Sequence, residues 1–426
     1  MSMLVLFGTF IILLLINVPV AFALGISSVV TLLYTEKMPL DIIARGMFTT
    51  IDGFTLLAVP LFIFAGLVME YGGLSRRLIN IAKSFVGHYY GGLASVSIVA
   101  CAFFAALSGS GPATVAAIGG IMIPAMVKEK YDTGYSCGVV ASAGTLGIII
   151  PPSIPLVIYG IVANTSIAKL FIAGVIPGIL IALALFALSY GIAKKRGYKG
   201  TQQKASWKER LQYINEGKFT LLMPVVVLGG IYGGIFTPTE AAGVALACSL
   251  FLGLFVYKEI KWKEMKDVFK RVTLISGTVL IIVCTASTYG RILVIEHIPD
   301  KIALFLLSVT QHEWIVITLI ILLLVFIGMF METLSAIILL TPILLPVVQH
   351  YGMDPIQFGI IIVVASEVGF LTPPVGDNLN VVSAISKLSF EKVSKAALPY
   401  AILLTLMIFV VAFIPSLSLF LPGFIK

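Results

Sequence analysis

Apolar residues dominate nearly the whole chain, and short polar or glycine-rich interruptions divide them into segments. The long runs include residues 170–193, 221–236, 315–330 and 401–413. A helix that crosses a bilayer needs roughly 20 mainly apolar residues, and shorter runs suit hairpins or broken helices. The pattern therefore predicts an all-α polytopic membrane protein, with about ten to eleven transmembrane helices and two re-entrant hairpins.

Composition and charge support this fold class. Of the 426 residues, 59% are hydrophobic and 11% are charged, and the mean hydropathy is +1.09. A soluble domain carries about a quarter charged residues. The net charge of +8 fits the cytoplasmic loops of a membrane protein, so we expect a lipid bilayer and no nucleic acid as a partner. Residues 1–16 lack a basic start and a cleavage site, which indicates a retained helix.

Two similar halves follow each other along the chain. A shift of 222 residues places the proline pair 151–152 on the pair 373–374. We predict a first repeat over residues 1–197, a basic cytoplasmic connector over 198–218 and a second repeat over 219–426. The predicted parts are, in order, scaffold helices 1–90, hairpin 92–127, broken helix 135–165 and helix 167–193, and then scaffold helices 219–310, hairpin 314–348, broken helix 357–385 and helix 397–422.

The positions of Lys and Arg predict the orientation of the halves. The connector and residues 258–271 are both basic and flank an apolar stretch long enough for two crossings, so both are expected on the cytoplasmic side. Corresponding loops then differ in charge, since residues 76–83 carry three Lys or Arg and the matching loop has only Lys301. This alternation predicts inverted-topology repeats, with both termini periplasmic. The first hairpin then opens to the cytoplasm and the second to the periplasm.

Each half interrupts an apolar stretch with two consecutive prolines. Proline lacks an N–H group and disrupts the helical turn before it, so the carbonyl four residues earlier loses its donor. Pro151 is expected to release the carbonyl of Gly147, and Pro373 that of Gly369. Kinks that serve only packing are the alternative for one such break. Two breaks in register favour the binding site of a secondary transporter, because free carbonyls in a membrane need a cavity, a helix or an ion.

Each broken helix is expected to form an oxygen cage with the hairpin of its own half. In the first half, the hydroxyls of Ser108, Ser110 and Thr145 join the carbonyls of Gly147 and Ile148. Such carbonyl and hydroxyl ligands with little net charge suit sodium, and calcium or magnesium is disfavoured because no carboxylate lies nearby. The second cage is predicted from Gly328, Gly369, Phe370 and the hydroxyl of Thr372.

The half-helices after the breaks start where an anion could bind. A helix N-terminus offers free N–H groups and partial positive charge, which suits a carboxylate. An organic anion is the sharper prediction, and a polar neutral substrate stays open. Arg291 is the nearest intramembrane cation. The candidate substrate-binding residues are Ser110, Ser153, Thr333, Ser335, Asn378 and Asn380.

Four carboxylates lie in or beside apolar segments, where acidic side chains are functional by default. Glu240, Glu332 and Asp377 are candidate coupling groups, and Glu367 belongs to the same set. For Glu240 an alternative role is capping, because it follows a Thr-Pro-Thr start of a helix. No nucleotide-binding or hydrolase motif occurs, so we expect no enzyme, no cofactor and no metal other than sodium.

Five motifs spread over the chain resemble the large membrane subunit of tripartite ATP-independent periplasmic (TRAP) transporters. The motifs are 54–62 (FTLLAVPLF), 108–114 (SGSGPAT), 147–153 (GIIIPPS), 233–242 (GGIFTPTEAA) and 371–376 (LTPPVG). The resemblance implies an elevator transporter in the bacterial inner membrane, with a scaffold, a mobile transport domain and sodium coupling. It also implies a small four-helix membrane subunit, expected as a separate chain, and a soluble periplasmic binding protein that delivers an organic acid.

The family's sodium sites map onto this sequence residue by residue. The first implied site comprises Ser108, Gly147, Ile150 and Pro151, and the second comprises Gly328, Gly369, Thr372 and Val375. At Val375 only the carbonyl can serve as a ligand. Among the family's substrates the sequence favours sialic acid over a C4-dicarboxylate. A stand-alone, sodium-driven dicarboxylate carrier without a binding protein is the alternative function.

Overall fold

The computed structural model describes residues 2–36, 39–200, 204–302 and 312–424, and all regular structure in these ranges is helical. Parts of the predicted connector (201–203) and of the second scaffold segment (303–310) lie outside the described residues. The helices of the first half are α1 (Ser2–Leu15), α2 (Val20–Thr35), α3 (Asp41–Ile51), α4 (Ala58–Tyr71), α5 (Leu74–Val86), α6 (Gly92–Ser108), α7 (Gly111–Lys128), α8 (Thr133–Gly144), α9 (Leu146–Ile149), α10 (Ile154–Val162) and α11 (Ile167–Arg196).

The second half continues with another series of helices. A π-helical turn, Leu252–Val256, directly follows one of these helices, Pro238–Phe251. The series comprises α12 (Trp207–Tyr232), α13 (Pro238–Phe251), α14 (Trp262–Ile295), α15 (Glu313–Gly328), α16 (Thr333–His350), α17 (Pro355–Gly369), α18 (Asp377–Ser386), α19 (Phe390–Phe413) and α20 (Ser416–Leu419).

The described helices confirm the predicted class of an all-α membrane protein. Eight of them, or nine with the bent pair α8–α10 taken as one, are long and apolar enough to cross a bilayer. Five shorter apolar helices, among them α6 and α15, add to these. Large apolar side chains such as Leu4 and Leu183 face outward, with 73% and 63% of their surface exposed. Such an apolar exterior suits lipid rather than water.

Packing sorts the described helices into two groups. In one group α13 lies along α4, α14 contacts α2, α3 and α4, and α12 packs on α5 and α13. In the other, α7 packs on α8 and α18, while α19 packs on α8 and α17. The groups meet where α5 packs on α6, where α4 touches α6 and α10, and where α14 touches α16. The breaks and the hairpin tips all belong to the second group, next to this boundary.

Both proline pairs interrupt a helix at the predicted positions. In the first half, α9 ends at Ile149 and α10 begins at Ile154, with a bend of 42° between the segments. In the second half, α17 ends at Gly369 and α18 begins at Asp377. The Pro–Pro peptide bond is cis in both. The sequence therefore located both breaks correctly.

Candidate functional site

A cavity of about 150 Å³ lies between the two groups of helices. The tips of both helix pairs, α6–α7 and α15–α16, reach it, as do the breaks after α9 and α17. Helices α4 and α14 close it from the opposite side. The polar and acidic side chains that line it are Ser108, Ser110, Glu332, Thr333, Glu367, Asp377 and Glu70.

The first half contributes a compact group of hydroxyl and carbonyl oxygens. Ser108 Oγ lies 2.8 Å from Thr114 Oγ1, which donates a hydrogen bond to the Ser110 carbonyl at 2.8 Å. Gly147 packs directly against this group, since a Cβ at Gly147 would lie 2.5 Å from the Ser110 carbonyl oxygen and 2.7 Å from Thr114 Oγ1. Only glycine permits this approach. The tip of the hairpin and the break are therefore held together.

The carbonyl of Gly147 has lost its usual helical donor, as the sequence predicts. Pro151 has no N–H, and the N–H of Ile150 donates to the Leu146 carbonyl at 3.0 Å. Thr145 lies beside the break but does not line the cavity, because its hydroxyl donates to the Ser142 carbonyl at 2.7 Å. Thr114, rather than Thr145, supplies the threonine hydroxyl beside Ser108 and Ser110. The sequence signal for Thr114 was its position one helical turn after Ser110 on α7.

The second half forms a turn that is packed on the α15 helix end. A Cβ at Gly369 would overlap the backbone of Gly328. Because neither glycine has a side chain, the two backbone segments can touch. The N–H of Val375 donates to the Met329 carbonyl at 3.3 Å, which ties the break to the same helix end. The hydroxyl of Thr372 donates to Val368 at 2.8 Å and keeps its lone pairs free for a cation.

The prediction that Gly369 has a carbonyl without a donor is wrong. Pro373 removes the N–H four residues on, but the N–H of Thr372, three residues on, donates to this carbonyl at 2.9 Å. A tighter, 3₁₀-like turn replaces the lost helical bond. The carbonyl oxygen retains a second lone pair, so it still fits as one ligand of a cation.

The candidate substrate-binding residues divide into two sets. Ser110 and Thr333 line the cavity. Ser153 instead caps α10 by accepting a bond from the Leu156 N–H at 3.4 Å, and Ser335 is buried away from the cavity lining. Asn380 donates to the Val375 carbonyl at 2.7 Å and so stiffens the second break. Asn378 is fully buried beside Glu367 and also lies outside the cavity lining.

Of the candidate coupling carboxylates, the structure brings Glu332 and Asp377 to the cavity and leaves Glu240 elsewhere. Glu240 is exposed and forms a capping box, in which the N–H of Thr237 donates to Glu240 Oε2 at 2.8 Å. The capping alternative therefore describes its position. Arg291 lies in a separate crevice beside Thr50, more than ten residues along α14 from the cavity-lining Val279. That separation is about 18 Å along a helix.

The cavity lining is acidic. Glu70, Glu332, Glu367 and Asp377 contribute carboxylates, and no Lys, Arg or His occurs among the described residues of the lining. Glu367 was named from the sequence among the carboxylates in apolar segments, whereas Glu70 was not. The signal for Glu70 was the same, an acid within an apolar run. Nowhere in the described ranges are three His, Cys, Asp or Glu side chains arranged to hold a metal ion.

Comparison with known proteins now identifies the family. The family model described as the DctM component of the tripartite ATP-independent periplasmic transporter matches residues 7–417. The chain belongs to this family. The predicted resemblance is confirmed, and the protein is a transporter component rather than an enzyme.

Several relatives are similar over nearly the full chain. An isethionate TRAP transporter permease protein from Oleidesulfovibrio alaskensis is 45% identical over 98% of this chain, which spans 66% of that relative's length. A C4-dicarboxylate TRAP transporter large permease from Pseudomonas aeruginosa is 40% identical, with 95% of this chain and 94% of the relative covered. A sialic acid TRAP transporter large permease from Vibrio cholerae is 39% identical, with 95% of each covered.

A solved membrane transporter shares the fold at much lower sequence identity. The YdaH transporter of Alcanivorax borkumensis superimposes with a TM-score of 0.64 at 14% identity, covering 92% of this chain and 90% of that one. This likeness extends over both halves and supports the arrangement of helices described above. As a DctM-family permease, the chain is a multi-pass membrane protein that acts within a tripartite transporter.

Proposed function

We propose that this DctM-family permease takes up a small organic acid by sodium-coupled secondary transport. The observation that carries the proposal is the cavity, where two oxygen-rich turns flank a lining whose described residues include four carboxylates and no cationic side chain. An organic anion that enters such a lining meets like charges where these carboxylates are ionised. Two like charges 4 Å apart repel by about 4 kcal/mol at an effective dielectric constant of 20. Cations bound next to the cavity offset this repulsion.

Sodium is the cation that the two turns suit. Ser108, the Ser110 carbonyl and Gly147 converge in the first half, and Gly328, Gly369 and Thr372 converge in the second. With Ile150, Pro151 and Val375 added, these are the residues that would hold two sodium ions. Their carbonyl and hydroxyl oxygens carry no formal charge, which suits a monovalent hard cation. Binding of the acid and of sodium then favour each other, and this is the coupling that uptake requires.

The size of the cavity bears on the substrate. A cavity of about 150 Å³ has room for a ligand of about the size of benzene. A sulfonate such as isethionate, or a C4-dicarboxylate, fits this space more readily than the much larger sialic acid that the sequence favoured. Relatives named for all three acids have similar identity to this chain. We therefore propose a small aliphatic sulfonate or carboxylate as the substrate.

We further propose that the complete transporter includes a small four-helix membrane subunit and a periplasmic binding protein that delivers the acid. The chain would lie in the inner membrane with both termini periplasmic. The two packing groups would act as a fixed scaffold and a moving transport domain. The position of the cavity at their boundary supports this elevator proposal, because sliding of one group along α4 and α14 would carry the site across the membrane.

Reconstitution tests the proposal directly. Proteoliposomes that contain the permease and its small subunit are supplied with the binding protein, isethionate or succinate, and an inward sodium gradient. We expect uptake that needs both sodium and the binding protein. An equal gradient of potassium or choline is the control. Uptake that continues without sodium contradicts sodium coupling, and uptake without any binding protein supports the stand-alone dicarboxylate carrier instead.

A further inference from the structure

Glu367 is a buried acid that the two sodium cages do not use. It lies on α17 with 1% of its surface exposed, and its carboxylate reaches the edge of the cavity. On its other side is the first turn of α7, since a Cβ at Gly111 would lie 2.9 Å from Oε1 and 3.0 Å from Oε2. The carboxylate of the second half therefore packs against the hairpin of the first.

The hydrogen bonds of Asn378 leave two buried acceptors without partners. Its Nδ2 donates to the Ala141 carbonyl at 3.2 Å and to Glu367 Oε2 at 3.4 Å. Because both acceptors need a donor, the amide orientation follows from these bonds. Glu367 Oε1 and Asn378 Oδ1 then have no hydrogen-bond partner among the described residues. A buried acceptor that stays unpaired costs about 1–3 kcal/mol, and more if it is charged.

We propose that Glu367 and Asn378 form a third cation site, located between the two halves. A cation that contacts Glu367 Oε1 and Asn378 Oδ1 would satisfy both unpaired oxygens at once. The ligand set of one carboxylate and one neutral amide oxygen suits a monovalent hard cation, and sodium is the ion already available to this transporter. A divalent ion is disfavoured because Glu332 and Asp377 do not join Glu367 in any metal-holding group of the described residues.

This inference rests on the proposed sodium coupling and makes it more specific. Two cages and the Glu367 site together predict three sodium ions for each substrate molecule. Because the site contacts Gly111 and Ala141 of the first half as well as α17 and α18 of the second, its occupancy links the two cages. Sodium binding is then expected to be cooperative.

The stoichiometry of transport tests the third site. The reconstituted complex is held at a set membrane potential, and the substrate gradient that just stops net flux gives the number of sodium ions per substrate. We expect Glu367→Gln to lower this number by one, because glutamine keeps the shape and loses the charge. Glu240→Gln, which makes the same change at an exposed carboxylate away from the cavity, is the matched control and is expected to keep the wild-type number.

Equilibrium binding of radioactive sodium to the purified complex keeps the test decisive if a variant does not transport. We expect one fewer ion bound to Glu367→Gln and to Asn378→Leu, with Asn378→Asp closer to wild type because it keeps an oxygen. A Glu367→Gln variant that binds the wild-type number of sodium ions, or that loses a co-transported proton instead, overturns the third site. If wild-type uptake ignores sodium, the proposed function itself fails.

Discussion

The two proline breaks share a sequence pattern but lie in different surroundings. Residues 151–153 are buried, whereas residues 373–375 are exposed. Helix α11 makes the difference, because Gly174 and Gly178 let it pack on the first break. A Cβ at Gly174 would lie 2.7 Å from the Ile149 carbonyl oxygen, and one at Gly178 would lie 2.8 Å from Ile150 Cγ1. No helix within the described ranges covers the second break in this way.

Their local hydrogen bonds differ as well. The half-helix after the first break starts with the side-chain cap of Ser153, whereas the second starts at Gly376, whose φ is +51° and which provides no side-chain cap. The Gly147 carbonyl lacks its helical donor, and that of Gly369 is paired with Thr372. The proposed first cage is therefore the more enclosed, and the proposed second cage lies beside an exposed break and has one carbonyl ligand that already accepts a hydrogen bond. The comparison predicts that the two cages bind and release sodium differently.

The largest expected effect comes from filling the close approach in the first cage. In Gly147→Ala the new methyl group would meet the Ser110 carbonyl oxygen at 2.5 Å, and backbone cannot move aside cheaply. Overpacking costs about 1–3 kcal/mol, and 2 kcal/mol corresponds to roughly thirtyfold weaker sodium binding. A titration of uptake with sodium measures this loss of sodium affinity. Gly120→Ala, with nothing within 4 Å, is the control, and similar behaviour of both variants would contradict an enclosed cage.

Chemical labelling tests the difference in exposure. Val375 is 39% exposed and Ser153 is 0% exposed, so a cysteine at 375 is expected to react with a polar maleimide about tenfold faster than one at 153. Each substitution is made in a background without the native cysteines, one of which, Cys248, is only partly buried. Equal labelling rates in the absence of substrate would mean that the first break is no better covered than the second.

A smaller effect is expected from one ligand of the second cage. Thr372→Ala removes a hydroxyl oxygen and its bond to Val368. The loss of one such interaction is worth about 1 kcal/mol, so the sodium concentration for half-maximal uptake is expected to rise roughly fivefold. Thr405→Ala, which removes a similar bond to Ala401 on α19, is the matched control. An unchanged sodium curve for Thr372→Ala would remove this residue from the cage.

The smallest effect is expected at Glu240, away from both breaks. Glu240→Gln leaves an acceptor for the Thr237 N–H, and the side chain is exposed, so uptake should stay within about twofold of wild type. Initial rates over a sodium titration provide the measurement. Asp377→Asn, at the start of the half-helix after the second break, is expected to change the sodium curve more. A larger change of the sodium curve in Glu240→Gln than in Asp377→Asn would support Glu240 as a coupling carboxylate.

Local sequence signals predicted much of the candidate site. The missing N–H of proline located both breaks, and the glycine-rich turn at 109–111 located the first hairpin tip, where Gly109 has a φ of +60°. Of the candidate substrate-binding residues, Ser110 and Thr333 line the cavity. Ser153, Ser335, Asn378 and Asn380 lie outside its lining, because position along a helix does not tell which of its faces meets the cavity.

By itself the sequence determined that this protein is a helical membrane transporter, and where its helices break. These are properties of short segments, set by apolar length and by the chemistry of proline and glycine. Only the tertiary structure decided which break is covered, which carbonyl is paired again, and that Glu367 meets the hairpin of the other half. Asn378 contacts Ala141 across 237 residues of chain. Contacts at such separation depend on how whole helices pack, and no local pattern encodes them.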